Sequence, residues 1–290
     1  MARIYAKAIG LVDAPRRNSD PPLHAAAGPR AHQARPPRVQ AVILAAGRGS
    51  RLSEAINDQP KCLAEVGGQH LVEHQLELLA AAGIDDVMVV TGYGADAVRR
   101  VVGRRARFVH NPLWEDTEGL FSLYLCRDWV RGPLLVLNCD VLPHPDVLQR
   151  LLARPGNAFA YDSSSGADPE QMAVELDGER LLAMRKDLPL ERTHGENVGI
   201  LYFNADAARI VFGSARWLLV GNAMRKRIAS AVQMVAARMP MAGIDVADLS
   251  WIEIDFPEDL ERARRSIWPA ICQRPQRRSL RPAFAAAAQA

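Results

Sequence analysis

From Val39 onward the chain alternates short apolar runs with stretches of helical periodicity. Ala41–Leu44 is a continuous apolar run of strand length, the pattern of a strand buried on both faces. Leu71–Ala82 (LVEHQLELLAAA) repeats its apolar positions at helical spacing and stops at Gly83. Asp86–Thr91 is a second buried strand, broken by Gly92-Tyr93-Gly94 before the helical Ala95–Val102. Arg107–His110 predicts a third strand and Leu120–Val130 a helix. Leu134–Asn138 is a fourth apolar strand that ends at Cys139-Asp140, and Pro143–Leu152 returns to helix. Strands that alternate with helices imply a mainly parallel sheet covered on both faces.

Past Ala158 the rhythm changes. Ala158–Tyr161, Met172–Glu175, Leu181–Arg185 and Val198–Phe203 are short runs separated by polar turns, the signature of antiparallel pairing. Helices are predicted over Ala205–Phe212 and Asn222–Met239, then a last strand, Trp251–Asp255, and a helix opening at Pro257. The whole reads as an α/β fold with a three-layer, mixed but mostly parallel sheet and an antiparallel extension. There is no internal repeat. Ligands of such sheets bind beyond the carboxyl ends of the strands, and the loop at Gly47, the turn at Gly92 and Asp140 all fall at such ends.

Charge narrows the picture. Residues 1–39 hold seven Arg/Lys against two Asp, and residues 270–290 hold four Arg and no acid. With a net of +3 for all 290 residues, the body between them carries −6, so the basic balance belongs to the ends and gives no argument for nucleic acid. Residues 1–38 and 270–290 lack periodicity and read as disordered extensions around a single domain over 39–269. Cys62, Cys126, Cys139 and Cys272 form no metal-binding spacing and suit a reducing cytoplasm. The apolar runs are shorter than a membrane span.

The chemistry concentrates in Val39–Leu52 (VQAVILAAGRGSRL) and Pro60-Lys61-Cys62-Leu63. A strand opens into a loop in which Gly47 and Gly49 leave backbone N–H groups accessible to an anion. Arg51 and Lys61 add positive charge, and the combination reads as a nucleoside-triphosphate site. No Gly-Lys-Ser/Thr follows, so it is not a Walker loop, and Leu52 stands where a dinucleotide fingerprint needs its third glycine. Chemistry on a nucleoside triphosphate brings anions together and calls for Mg²⁺, which takes carboxylates at strand ends. Asp140 and Asp255 meet that demand, with Glu253 a third carboxylate near Asp255; taken singly, the two aspartates read more readily as turn and cap residues.

The Leu-Ala-Ala-Gly-x-Gly-x-Arg-Leu pattern with its downstream Pro-Lys resembles the nucleotidyltransferases of the nucleotide-diphospho-sugar transferase fold, in particular the phosphocholine cytidylyltransferase-like branch. That resemblance implies a Rossmann-like core in which Lys61 neutralises charge on the transferred phosphate and Arg51 binds the outer phosphates. It implies Asp140 and Asp255 as Mg²⁺ ligands. Leu44, Ala45, Ala46, Gly47, Gly49, Gly92, Tyr93 and Ser122 would line the nucleotide, Ser122 offering a hydroxyl to a pyrimidine. Thr117–Leu123 matches a family segment that has an Asn missing here. On the acceptor side, Lys186 and Glu196 stand at family positions, Asp162 is a further candidate to face the head group, and Tyr161, Trp217 and Trp251 are available to box a quaternary ammonium.

The implied activity joins a nucleotidyl group, CTP being favoured, to a small phosphorylated acceptor such as phosphocholine, a phosphonate or a polyol phosphate, with loss of pyrophosphate. Two alternatives stand beside it. One is a sugar-1-phosphate nucleotidyltransferase using UTP, dTTP or GTP; the other is a catalytically silent nucleotide sensor. The expected partners are small molecules, with no nucleic acid and no membrane span, and with room for a homo-oligomer.

Overall fold

The computed structural model describes residues 38–165, 171–220 and 224–273. Most of the two basic end segments therefore lies outside the described residues. In chain order the strands are β1 (Gln40–Ala45), β2 (Glu65–Val66), β3 (Gln69–His70), β4 (Val87–Thr91), β5 (Arg107–His110), β6 (Leu134–Asn138), β7 (Val141–Leu142), β8 (Asn157–Asp162), β9 (Ala173–Asp177), β10 (Arg180–Arg185), β11 (Gly195–Phe203), β12 (Met241–Asp245) and β13 (Ile252–Glu253). The α-helices are α1 (Leu71–Ala81), α2 (Ala95–Val102), α3 (Gly119–Tyr124), α4 (Pro145–Ala153), α5 (Ala205–Val220), α6 (Ala229–Ala236), α7 (Pro257–Arg262) and α8 (Trp268–Gln273).

Nine strands form one sheet in the order β5-β4-β1-β6-β11-β8-β12-β10-β9. The four at one side are parallel, with Ala45 opposite Thr91 and Leu44 opposite Asn138. Their last residues therefore end on a common rim, as the run-and-turn pattern predicts. Alternate side chains of β1 enter opposite cores: Val42 joins Val90, Val136 and Phe121 on one face, and Ala41, Ile43 and Ala45 join Val89, Leu135 and Val72 on the other. Burial on both faces explains why this half of the sheet reads as continuous apolar runs.

The other half is mixed. β11 runs antiparallel to β6 and β8, β10 antiparallel to β9 and β12, and β9 returns to pair with Gly195 and Glu196. Against β8, β11 slips between Asn197 and Leu201. Gly199 lies in that slip at φ +80°, where a Cβ would come within 2.6 Å of the Asn138 amide nitrogen.

Four differences from the sequence reading matter. The helix expected over Leu120–Val130 ends at Tyr124, because the N–H groups of Cys126, Arg127 and Trp129 turn to carbonyls three residues back. The helix expected over Asn222–Met239 is confined, among the described residues, to α6. Beyond it Met241–Asp245 is a strand, β12, parallel to β8, in which Gly243 accommodates the Tyr161 ring. The strand expected at Trp251–Asp255 is the two-residue β13, which leaves the main sheet and pairs with β7.

A third core, made by Leu52, Ile56, Val66, Leu142, Ile254 and Leu260, fastens this ribbon to the loop after β1 and to α7. Ile271 of α8 is buried in the same core, so packed structure continues past residue 269. All four cysteines are free thiols, with Cys272 exposed. Among the described residues no helix is long and apolar enough to cross a membrane.

Candidate active site

A cleft of about 320 Å³ opens on the rim of the parallel strands, lined among others by Leu44, Ala46, Gly47, Gly49, Lys61, Ser122 and Asp140. Its floor is built by pairing between distant segments. The antiparallel register of β7 and β13 sets Glu253 opposite Val141, and the Ile254 N–H donates to the Asp140 carbonyl at 3.0 Å. That ribbon delivers Asp140, Glu253 and Asp255 to one place, with a carboxylate oxygen from each within 4.8 Å of the others. Gln75 of α1 braces the turn from behind: its amide donates to the carbonyls of Asn138 and Val141 at 2.7 and 2.8 Å.

Lys61 is 8% exposed, at the start of a short 3-10 turn rather than in an open loop. His70 Nδ1 donates to the Leu63 carbonyl at 2.8 Å and holds that turn. The Lys61 ammonium donates to Asp140 Oδ2 at 2.9 Å and to Asp255 Oδ1. Burial would lower its pKa, but the charges of Asp140 and Asp255 outweigh burial and hold it above the ordinary lysine value. Glu253 moves the other way, its carboxyl pushed up to about 8 by burial and by the negative charge of Asp140 and Asp255.

Gly49, at φ +68°, lies against the Lys61 stem; a Cβ there would be 2.8 Å from Lys61 Cβ. The turn after β4 supports the same loop, since the Tyr93 N–H donates to the Ala46 carbonyl at 3.0 Å. Gly92 has no room for a side chain between that carbonyl and Trp114.

Not every nucleotide residue expected from the sequence faces the cleft. The Ala45 side chain is buried in the core behind it. Tyr93 lies one layer out, its hydroxyl donating to Asp58, its ring beneath Arg48 and edge-on to Trp114. Arg51 sits at the margin, its guanidinium 3.6 Å from Asp255 Oδ2 and over the Phe256 ring.

On the acceptor side, Glu196 and Asp162 are cross-strand partners of β11 and β8. Asp162 accepts from Trp251 Nε1 at 2.8 Å and from Ser164. Glu196 lies close enough to Glu253 to help raise its pKa. Lys186 follows β10 directly. The three aromatic residues stand apart in role: Trp251 serves Asp162, Trp217 is exposed, and Tyr161 has its ring contact with Phe159.

Two cleft residues escaped the sequence reading, Asn111 and Trp114. Asn111 directly follows β5, as Gly92 follows β4, so the strand-end argument applied to it equally.

The three carboxylates suit a hard divalent cation. Asp140 Oδ1 is buried without a hydrogen-bond partner among the described residues, an acceptor left over on one of the three cluster residues.

Residues 41–194 match the family model of the MobA-like NTP transferase domain. The CMP-5'-(3-aminopropyl)phosphonate synthase of Streptomyces rubellomurinus is 32% identical over 240 residues, covering 78% of this chain and 38% of that protein. The chain therefore spans well under half the length of that relative. The CTP:phosphoglutamine cytidylyltransferase of Campylobacter jejuni is 25% identical over 248 residues, covering 77% of this chain and 98% of its own. Among solved structures, the CTP:phosphocholine cytidylyltransferase of Streptococcus pneumoniae superposes with a TM-score of 0.65 at 22% identity, over 78% of this chain and 98% of that one. The last likeness establishes the shared fold.

Proposed function

The chain belongs to the MobA-like NTP transferase family, and from that premise we propose that it is a Mg²⁺-dependent cytidylyltransferase acting on a small phosphorylated or phosphonate acceptor. In the reaction an acceptor oxygen attacks the α-phosphorus of CTP, the bond from that phosphorus to the bridging oxygen breaks, and pyrophosphate leaves. The observation that carries this reading is the buried Lys61 held between Asp140 and Asp255 beneath the Gly47–Gly49 loop. A glycine loop, a cation kept charged and a carboxylate cluster at one strand rim are what stabilisation of a polyphosphate transition state requires.

Asp140 and Asp255 would hold Mg²⁺, with Glu253 beside them, and the bound ion would supply positive charge against the phosphates. Lys61 keeps its proton because two carboxylates face it, so its charge is available to the α-phosphate at any physiological pH. The loop from Ala46 to Gly49 supplies backbone donors, and Arg51 stands at the margin for the departing pyrophosphate. Leu44, Trp114 and Ser122 form the wall against which a base would lie. The preference for CTP rests on relatives named for CTP or CMP chemistry.

The test is pyrophosphate release from CTP, UTP, dTTP and GTP with Mg²⁺ and a panel of phosphocholine, aminoalkyl phosphonates, polyol phosphates and sugar 1-phosphates. Release with CTP and a phosphocholine- or phosphonate-like acceptor is expected. Turnover only with UTP or dTTP and a sugar 1-phosphate would replace the cytidylyl assignment, and no release from any pair would favour a silent sensor.

A further inference from the structure

Asn111 is 1% exposed and is the polar hub behind the cleft wall. Its hydrogen bonds leave one arrangement of protons. The Leu113 N–H donates to Asn111 Oδ1 at 2.9 Å; a backbone N–H only donates, so that side-chain atom is the oxygen and the other is the amide nitrogen. Thr117 spends its only hydroxyl proton on the Leu113 carbonyl at 2.7 Å. Thr117 Oγ1 must then accept from Asn111 Nδ2, at 2.9 Å. The second Nδ2 hydrogen goes to Ser122 Oγ at 3.1 Å. Ser122 is therefore an acceptor toward Asn111, and among the described residues no acceptor is recorded for its own proton. Ser122 lines the cleft, so that proton is available to an acceptor lying there.

We propose that Asn111 is a positioning residue that sets Ser122 as a hydrogen-bond donor to the nucleobase, selecting cytosine, whose N3 accepts, over uracil, whose N3 carries a proton. The inference rests on the cytidylyltransferase reading and adds to it the group that decides between the two pyrimidines. Ser122 can meet the N3–H of uracil only by turning its remaining lone pair to it, which leaves its own proton buried without an acceptor, a penalty on the order of tenfold or more in affinity. Asn111→Asp reverses the polarity: the carboxylate accepts the Ser122 proton, and the hydroxyl then turns a lone pair to the cleft.

The experiment is calorimetric titration of the full chain with CTP and with UTP in Mg²⁺, which needs no acceptor substrate. Wild-type protein is expected to bind CTP at least tenfold more tightly than UTP. Ser122→Ala should bring the two constants together, and Asn111→Asp should shift the ratio toward UTP. Asn111→Asp made in the Ser122→Ala background should leave the ratio where Ser122→Ala put it, an outcome a merely structural role for Asn111 does not give. If Asn111→Asp fails to fold, the Ser122→Ala ratio decides: convergence supports the proposal, and an unchanged preference overturns it. Wild-type protein that binds neither nucleotide overturns the parent reading and this inference together. Wild-type protein that prefers CTP, with folded variants that keep the same preference, overturns this inference alone.

Discussion

Lys61 and Glu253 answer the same two negative charges, Asp140 and Asp255, in opposite ways, one by staying charged and the other by giving up its charge. Replacing Lys61 with Met keeps the length of the buried stem but removes the counter-charge to Asp140 and Asp255. We expect Lys61→Met to cut kcat on the order of a hundredfold or more, because its charge is needed most as the transferred phosphate becomes more anionic. In EDTA the variant should also melt below wild type, since it leaves carboxylates facing one another, and Mg²⁺ should raise its Tm more than it raises that of wild type. Thermal melts with and without the ion check this, and equal Mg²⁺ shifts would separate Lys61 from the carboxylate cluster. For Glu253 the sign follows from a folded pKa raised from 4.5 to about 8. Its protonated form stabilises the fold fully below 4.5, and that contribution is lost as pH rises through about 8. Urea denaturation in EDTA should show wild type losing stability between about pH 5 and pH 8 that Glu253→Gln keeps. Parallel pH profiles for the two proteins would mean that Glu253 ionises normally.

At the scale of elements, the site depends on short pairings that carry little periodic signal. β1, β4 and β6 were readable because burial on both faces makes each a continuous apolar run closed by Gly47, Gly92 or Asp140. β12 was not, because Met241–Asp245 contains Gly243 and follows a helical pattern in Ala229–Ala236, so nothing local marks the change of state. β7 and β13 are two residues each, too short for any period, yet their register places Asp140 beside Asp255 across more than a hundred residues of chain. The same limit hid Gln75, which reads as one polar position of an amphipathic helix and acts as the brace of the Asp140 turn. Gly199 is the element-level position most open to test. An alanine there meets an unfavourable left-handed backbone, costing about 1–2 kcal/mol, and drives its Cβ into Asn138 on the cleft wall. Gly199→Ala should therefore lower Tm by several degrees and weaken nucleotide binding together. A loss of Tm with unchanged CTP affinity would show that the β11 slip shapes the sheet without shaping the site.

For the whole molecule, the described body and the basic ends divide the charge between them. Residues 1–37 carry six Arg/Lys and two Asp, and residues 274–290 carry four Arg and no acid, so removing both takes +4 from each end. A chain of net +3 becomes a body of net −5. The three cores are filled by residues from Val39 to Ile271, and the candidate site draws every residue from within that span. A truncated protein of residues 38–273 should accordingly keep the Tm of the full chain and, at high ionic strength, its CTP affinity. It should bind anion-exchange resin where the full chain binds cation-exchange resin. Both substrates of the proposed reaction are anionic, so the net positive charge of the ends attracts them at long range, an effect that salt screens over about 8–10 Å. Their removal should then lower the association rate for CTP at low ionic strength and leave it unchanged at high ionic strength. Stopped-flow binding at two salt concentrations checks this, and a fall in Tm on truncation would instead show that an end segment packs against the body.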